Sequence, residues 1–139
     1  MTIRAYTPDD FPLVEQWAKA RNMAIVPQLL SPNGFLVEDA KGPLAVCFVY
    51  LVFDCSFVFM DNLWSRPRTS LKDGRAAWAM IWRTTLGFLA GLRDCNGAPI
   101  RYKFVRNFCR PELAHLIKKD GWIVADRLSA QVIYALPSQ

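Results

Sequence analysis

The feature that most constrains this chain is the stretch at residues 57–80, where an apolar strand, a basic loop and a helix follow one another. We predict that the loop ends at Gly74 and that the helix opens with Arg75 and Ala76. The first turn of a helix carries backbone N–H groups without intrahelical acceptors, and the helix macrodipole adds partial positive charge there. A basic loop that leads into such a turn indicates a binding site for phosphate.

The composition is that of a globular domain with a large apolar content. The chain has 139 residues, of which 53% are hydrophobic and 21% are charged, so we expect one domain over residues 1–139 with a packed core. Five Trp and nine Phe residues predict that apolar surface is hidden in a homo-oligomer or against a protein partner. The net charge of +5 suits an anionic ligand. No run of Lys and Arg interleaves with aromatic residues, so nucleic acid is not the expected partner.

Metal sites, membrane spans and secretion signals are not indicated by the sequence. The four cysteines form no CxxC pair and the chain has one histidine, so no zinc-binding pattern can be written. The N-terminus lacks the apolar segment of a signal peptide, and the apolar run at residues 44–53 is too short to span a bilayer. We therefore expect reduced thiols, no membrane contact and a cytoplasmic location.

Hydrophobic periodicity and turn residues predict a mixed order of strands and helices, which places the chain in the α/β or α+β class. Strands are predicted at residues 3–6, 34–39, 44–53, 57–64, 100–105, 122–126 and 130–136. Helices are predicted from Pro8 onward, over residues 74–94 and over residues 111–119. Residues 23–33 read either as a short helix or as an irregular loop.

Four segments together carry a resemblance to a known family. They read as a first strand and helix, a hairpin, a fourth strand, and a fifth strand with its following helix: IRAYTPDDFPLVEQW, GFLVEDAKGPLAVCFVYL, FVFMDNLWSRP, and IRYKFV with RPELAHLIKKDGW. In this order they resemble the GNAT superfamily of acyl-CoA-dependent N-acetyltransferases, over nearly the whole chain. The resemblance implies a mixed, mostly antiparallel sheet of six to seven strands flanked by about four helices, with the fourth and fifth strands splayed. It also implies acetyl-CoA as acyl donor and an amine of a protein or small molecule as acceptor.

The resemblance also implies which residues bind coenzyme A. They lie at the end of the fourth strand, in the basic loop and near the last helix: Leu63, Trp64, Lys72, Asp73, Gly74, Arg75, Ala76, Asn107 and Arg110. Leu63 and Trp64 would offer backbone groups to the pantetheine arm, and the loop would wrap the pyrophosphate. The family signature Q/R-x-x-G-x-G/A finds its Gly and Ala here, but Leu71 stands at its first position.

Asp61 is the candidate general base. In the family this role often falls to a carboxylate on the fourth strand, where Asp61 lies between Phe59 and Leu63. A carboxylate among such apolar neighbours would be desolvated, which favours a role as a base. The alternative is that the strand opens at Asp61 and the carboxylate is solvated or hydrogen-bonded to a neighbouring backbone group.

The general acid of the family has no counterpart in this chain. The family commonly has a Tyr four residues before the Gly of its Gly-Phe pair, and that position holds Ile117 here. His115 lies on another face of the same predicted helix. Tyr102 is the remaining candidate, and no spacing rule favours it.

Two functions stay open from the sequence. The first is an active N-acetyltransferase, and the second is a catalytically inactive acetyltransferase-like scaffold or assembly component. Leu71, Ile117 and a Trp78–Trp82 stripe that suits an interface favour the second. In brevity and composition the chain also resembles small acetyltransferase-like proteins of tailed bacteriophages, some of them virion parts, so a virion location is the alternative to the cytoplasm.

Overall fold

A computed structural model describes residues 1–109, 111–124 and 131–136 of the chain. Within them lie three α-helices: α1 (Phe11–Lys19), α2 (Leu71–Gly91) and α3 (Pro111–Ile117). The same residues form seven strands: β1 (Thr2–Ala5), β2 (Gly34–Asp39), β3 (Gly42–Leu51), β4 (Phe57–Ser65), β5 (Phe104–Phe108), β6 (Ile123–Val124) and β7 (Gln131–Ala135). The predicted mixed, mostly antiparallel fold is confirmed.

The chain forms two compact units. The first comprises Met1–Val49 and Asn62–Phe88, and the second comprises Tyr50–Asp61 and Leu89–Gln139. The boundary therefore falls inside β4, between Asp61 and Asn62. The single domain expected from the sequence stays a prediction.

The first unit is built on the antiparallel strands β1, β2 and β3. Ala5 lies opposite Phe35, and Leu36 lies opposite Val46. Every residue from 44 to 49 is buried, so β3 is covered on both faces. The helix α1 buries Val14, Trp17 and Ala18, which recur at helical spacing and form one face.

Gly34 is required where β1 and β2 pack. The ring of Tyr6 meets the edge of Phe48 at 4.8 Å between ring centres, directly over Gly34. A Cβ atom at Gly34 would lie 2.7 Å from Cβ of Tyr6 and 2.8 Å from the Phe48 ring. No side chain fits that space, because the nearest atoms belong to a packed aromatic pair.

The second unit contains the parallel pair of the sheet. β4 and β5 are paired in parallel from Phe57 opposite Phe104 to Met60 opposite Asn107. β5 pairs antiparallel with β7, which in turn pairs antiparallel with β6. Parallel strands adjoin only when a crossover joins them, and α2 lies in the segment that connects β4 to β5.

Two predicted element boundaries are wrong. The long helix begins at Leu71 instead of Gly74 and ends at Gly91, because Ser70 caps it three residues earlier than expected. The fifth strand occupies Phe104–Phe108 instead of residues 100–105, because the amide of Ile100 is taken by the carbonyl of Leu92 in the preceding loop.

Three further predicted segments can be compared with the described residues. Residues 23–33 contain a single 3₁₀ turn at Pro27–Leu29 and are otherwise irregular. The strand predicted at residues 122–126 covers Ile123–Val124, and the last two residues of the predicted strand lie outside the described part of the chain. The last helix is α3 followed by a 3₁₀ turn at Lys118–Asp120, which ends at Gly121 with φ of 90°.

The tryptophan stripe predicted for an interface lies inside the first unit instead. Trp78 is 3% exposed and Trp82 is 6% exposed. Their rings stack at 6.5 Å between centres with 4° between the planes. These residues therefore contribute to the core, and the predicted oligomer stays a prediction without this support.

An ion pair links β1 to the short 3₁₀ helix that follows it. Arg4 donates to both carboxylate oxygens of Asp10 at 2.7 and 2.8 Å, and the amide of Thr7 donates to the same carboxylate at 2.8 Å. Thr7 and Asp10 form the capping box of the short 3₁₀ helix that precedes α1. The Arg4 guanidinium, with the Thr7 donors, lowers the pKa of Asp10 from 3.8 to about 2.

This pair predicts a loss of stability in acid. Because the folded-state pKa of Asp10 is lowered, its contribution is complete above the unfolded pKa of 3.8 and is lost as the pH falls towards about 2. Solvent screening of the partly exposed Arg4 reduces the contribution to about 1 kcal/mol. Urea unfolding at several pH values should show this slope in the natural chain and a flatter one in Asp10→Asn. Equal slopes in the two proteins would contradict the assignment.

Candidate functional site

The basic loop between β4 and α2 opens with a tight turn. The amide and the hydroxyl of Thr69 both donate to the carbonyl of Arg66, at 3.2 and 2.6 Å. Pro67 occupies the second position of this turn, and Arg68 occupies the third with φ of 63°. A positive φ at this position is usual for Gly and costs about 1 kcal/mol for other residues. The exposed Arg68 is therefore held in a strained backbone conformation.

Arg66 fastens this turn to the body of the first unit. Its guanidinium donates to both carboxylate oxygens of Asp39 at 2.6 and 3.2 Å and to the carbonyl of Pro43 at 3.2 Å. The Arg66 guanidinium lowers the pKa of Asp39 below its usual value. The backbone amide of Arg66 also donates to the carbonyl of Leu44. Arg66 thus has a structural role, and the cations that remain exposed beside the loop are Arg68, Lys72 and Arg75.

Ser70 forms the cap of α2. Its hydroxyl accepts from the amide of Asp73 at 3.1 Å and donates to the Asp73 carboxylate at 2.7 Å. The amide of Gly74 donates to the carbonyl of Ser70 at 2.9 Å, which is the first helical hydrogen bond. The amides of Leu71 and Lys72 lie in the first turn, where the helix provides no acceptor. An anion at this helix end would therefore meet Leu71 and Lys72 first, and the predicted ligands Asp73 and Gly74 have amides already engaged.

Gly74, Arg75 and Ala76 lie in the helix and not in a loop. A Cβ atom at Gly74 would have only one neighbour, the Thr69 methyl group at 3.9 Å, which is an ordinary contact. The free structure therefore does not require Gly at this position. Arg75 and Ala76 are exposed and lie in the second turn of α2.

The end of β4 carries the two residues predicted to face pantetheine. Asn62 has φ of 52°, a left-handed conformation that interrupts the regular strand just beyond the last residue paired with β5. Leu63 is half-buried and Trp64 is 5% exposed. The indole Nε1 of Trp64 has no hydrogen-bond partner among the described residues.

Asp61, the candidate base, lies at the last position of β4 that belongs to the second unit. It is exposed, unlike its neighbour Met60, which is fully buried. The expected desolvation of Asp61 is therefore wrong. The alternative, a strand that opens at Asp61, agrees with the structure, because the pairing with β5 ends at Met60.

Asn107 is the most unusual polar residue of the second unit. It lies on β5, where it is 1% exposed, and neither its amide nitrogen nor its amide oxygen has a hydrogen-bond partner among the described residues. Its strand neighbour Val105 and its cross-strand neighbour Met60 are fully buried. A buried amide without partners costs about 1–3 kcal/mol for each group. The sequence placed Asn107 near the last helix, and its burial became visible only in the structure.

The remaining sequence candidates do not supply an acid. Ile117 is 1% exposed and belongs to the core, and His115 is exposed on α3. Tyr102 donates its hydroxyl to the carbonyl of Val52 at 3.1 Å, and burial raises its pKa. Burial also raises the pKa of Cys109 to about 11, so its thiol is protonated near neutral pH. Arg110 lies outside the described residues.

Sequence reasoning missed two residues of the loop. Ser70 could have been found, because Ser followed three residues later by an acid is a helix-start pattern. Arg66 could not, because its role depends on its distant partner Asp39.

No metal-binding group was expected, and the described residues contain no cluster of three or more His, Cys, Asp or Glu side chains arranged for a metal ion. Nor does any helix within those residues combine the length and apolar character that crossing a bilayer demands.

The capped helix predicts the effect of a glycine substitution. Gly74→Ala should raise the free energy of unfolding by about 0.5–1 kcal/mol, because Ala loses less backbone entropy in a helix and the site has room. Gly87→Ala, elsewhere in α2 and equally open, is the matched control and should behave alike. Thermal or urea unfolding measures both, and a destabilised Gly74→Ala beside a stabilised Gly87→Ala would contradict the described helix start.

Solved structures provide the comparison, since no protein-family model and no curated protein matches the sequence. The chain is similar to N-acetylglutamate synthase from Neisseria gonorrhoeae complexed with coenzyme A and N-acetyl-glutamate, at 11% identity and a TM-score of 0.69, over 99% of this chain and 35% of that one. It thus spans about a third of that enzyme's length.

Two shorter structures match over most of their own length. Ard1 from Thermoplasma volcanium is 14% identical, with a TM-score of 0.67 over 99% of this chain and 98% of that one. A GNAT-family N-acetyltransferase from Escherichia coli in complex with CoA is 15% identical, with a TM-score of 0.63 over 98% and 81%. Identities this low establish shared architecture and not shared chemistry. This chain therefore has the GNAT N-acetyltransferase fold.

Proposed function

We propose that the protein binds an acyl-coenzyme A, with acetyl-CoA as the donor, and transfers the acyl group to an amine. The observation that carries the proposal is β4, which leaves its parallel partner after Met60, bends at Asn62 and leads through a basic loop into the N-terminus of α2. The fold shared with CoA-bound acetyltransferases supports this reading.

The phosphate groups are assigned to the first unit. The amides of Leu71 and Lys72 have no helical acceptor, and the positive end of the α2 dipole lies at the same place. Lys72, Arg68 and Arg75 add exposed positive charge beside these amides. The Asp73 carboxylate opposes an anion, but its hydrogen bond to Ser70 holds it at the cap. In this assignment the donors lie earlier in the chain than the signature-based set Lys72 to Ala76.

The pantetheine arm is assigned to backbone groups of Leu63 and Trp64, as the resemblance implies. The second unit, taken by itself, offers the side chain of Asn107 to an amide group of a ligand. An Asn side chain offers one acceptor and two donor hydrogens, which is the complement of the amide groups of pantetheine. Because Asn107 has no partner for either group among the described residues, a ligand amide would remove an existing energetic cost. Arg110 stays a proposed contact from the resemblance alone.

The acyl transfer needs a proton acceptor for the attacking ammonium, and Asp61 is the proposed general base. An exposed carboxylate can accept this proton directly or through water. A thioester already has a carbonyl carbon reactive toward amines and a stable thiolate as leaving group. Transfer therefore does not require a Tyr at the position that Ile117 occupies in this chain.

A second candidate is a protein of the same fold that binds the cofactor without transferring its acyl group. Two observations favour it: the family acid position is the buried Ile117, and Asp61 lacks the desolvation expected of a strong base. This candidate includes the scaffold and assembly roles considered from the sequence.

Titration calorimetry with coenzyme A and with pantetheine tests the cofactor assignment. We expect coenzyme A to bind with micromolar affinity, and Lys72→Gln to weaken it about tenfold while leaving pantetheine binding unchanged, because pantetheine carries no pyrophosphate. Lys119→Gln removes the same charge from an exposed position of the second unit and should change neither affinity. No binding of coenzyme A by the natural chain would refute the proposal. Binding without thiol release from acetyl-CoA in the presence of amines would favour the non-catalytic candidate.

Asn107→Leu tests the buried amide. The nearly isosteric Leu removes two unpaired polar groups, so the free protein should become more stable by about 1–2 kcal/mol, whereas its affinity for pantetheine should fall. Unfolding in urea and pantetheine titration give the two readouts. A variant that gains stability and retains full pantetheine affinity would show that Asn107 does not contact the ligand.

A further inference from the structure

The second unit has an apolar sheet face that the proposed function does not use. We name it the aromatic face, and it consists of six residues on β4, β5 and β6: Phe57, Phe59, Phe104, Arg106, Phe108 and Ile123. Phe57 is paired with Phe104. Phe59, Arg106 and Ile123 belong to one row of paired residues, which β7 completes at Ile133. Paired residues lie on the same side of a sheet, so the face extends across four strands.

This face is exposed, whereas the opposite side of the same strands is covered. Met60 and Val105 alternate with the rings along β4 and β5, and both are fully buried. On the aromatic face, Phe104 is 42% exposed, Phe108 is 47% exposed and Ile123 is 60% exposed. Apolar side chains that are exposed together on one face indicate an interaction surface.

The centre of the aromatic face is a packed cluster of rings. Phe59 lies 5.0 Å from Phe57 and 6.1 Å from Phe108 between ring centres. The guanidinium carbon of Arg106 lies 5.2 to 5.9 Å from the centres of these three rings, and Arg106 is half-buried. The charge of Arg106 is thus engaged by the rings within the second unit. The face offers apolar area and shape to a partner, and it does not depend on charge.

The composition of the face indicates the kind of partner. Aromatic residues and Arg are enriched at the buried centre of protein interfaces, where Lys, Glu and Asp are depleted. The aromatic face has four Phe, one Ile and one Arg. A nucleic acid requires several cations for its phosphates, and a small molecule is usually bound in a cleft instead of across four strands. The face therefore suits another protein surface.

The exposed area agrees with what a homodimer needs. At about 200 Å² for a fully exposed side chain of this size, Phe104, Phe108 and Ile123 together expose roughly 300 Å². Phe53, in the loop that leads into β4, is 93% exposed and adds roughly 200 Å². A homodimer interface of about 800 Å² per copy that is about 65% apolar needs roughly 500 Å² of apolar area. The second unit supplies about this amount.

We propose that the aromatic face is the interface of a homodimer, in which the same face of a second copy covers it. Two-fold symmetry makes such a contact self-complementary, and homodimers are the commonest oligomers of soluble proteins. Two sheet faces pack about 10 Å apart with interdigitating side chains, which removes the exposed rings from water. Asn107 lies on the opposite side of β5, so the dimer leaves its proposed role unchanged.

Sedimentation velocity over about 1–100 µM tests the dimer. We expect the natural chain to dimerise in this range. Phe104→Asp and Phe108→Asp should each raise the dissociation constant at least about a hundredfold, because a symmetric dimer loses each ring twice and gains two buried charges. Leu29→Asp introduces the same charge at a 71% exposed position of the first unit and should leave the dissociation constant unchanged. Urea unfolding of each variant verifies that it is folded.

Photo-cross-linking tests the same contact without a disruptive charge. Benzoylphenylalanine in place of Phe108 keeps an apolar ring on the face, and irradiation should join it to a second copy. The same group in place of Leu29 should give no cross-linked dimer. Cross-linking from Leu29 but not from Phe108 would place the interface elsewhere and overturn the inference.

Three further outcomes would also overturn it. The first is a natural chain that stays monomeric over the whole concentration range. The second is a dimer that persists with an unchanged dissociation constant in both Phe104→Asp and Phe108→Asp. The third is a monomeric chain that binds a single-stranded oligonucleotide or phosphatidylglycerol vesicles and loses this binding in Phe108→Asp, because the face would then belong to that partner.

Discussion

The architecture depends on how far β4 pairs with β5. The parallel ladder runs only from Phe57 to Met60, and the next residues are the exposed Asp61 and the left-handed Asn62. A strand that keeps its neighbour satisfies its own backbone groups, whereas a strand that leaves its neighbour has groups free to bind something else. The proposed ligand-binding role of β4 depends on this early end of the pairing.

Some charged side chains around the basic loop are paired within the fold, and others are exposed. Arg66 is held by Asp39 and by the Pro43 carbonyl, so its charge is neutralised inside the fold. Arg68 is exposed on a strained backbone, and strain of this kind persists only where the surrounding structure imposes it. Ser70 and Asp73 are hydrogen-bonded to each other at the N-terminus of α2. The Asp73 amide is occupied by this contact, so fewer backbone amides remain for an anion. The cap thus determines the register of the proposed phosphate site.

Two polar side chains of the second unit affect the stability of the free protein in opposite directions. Asn107 is buried without partners among the described residues, which destabilises the free protein. Arg106 is half-buried and lies among rings that stabilise it. For Asn107 we propose an amide group of a ligand as the missing partner. A protein that tolerates an unpaired buried amide has given up stability at a position where selection for stability alone would favour an apolar residue.

The sequence alone determined the element order and the order-based resemblance to the GNAT fold, because hydrophobic periodicity and capping residues act over short distances. It misplaced the start of α2 and the span of β5, where local caps and loop hydrogen bonds compete with periodicity. Only the tertiary structure decided that Trp78 is buried, that Asp61 is exposed and that Arg106 lies among rings from two strands. Each of these depends on neighbours that are distant in the chain, and residue spacing within one segment carries no information about them.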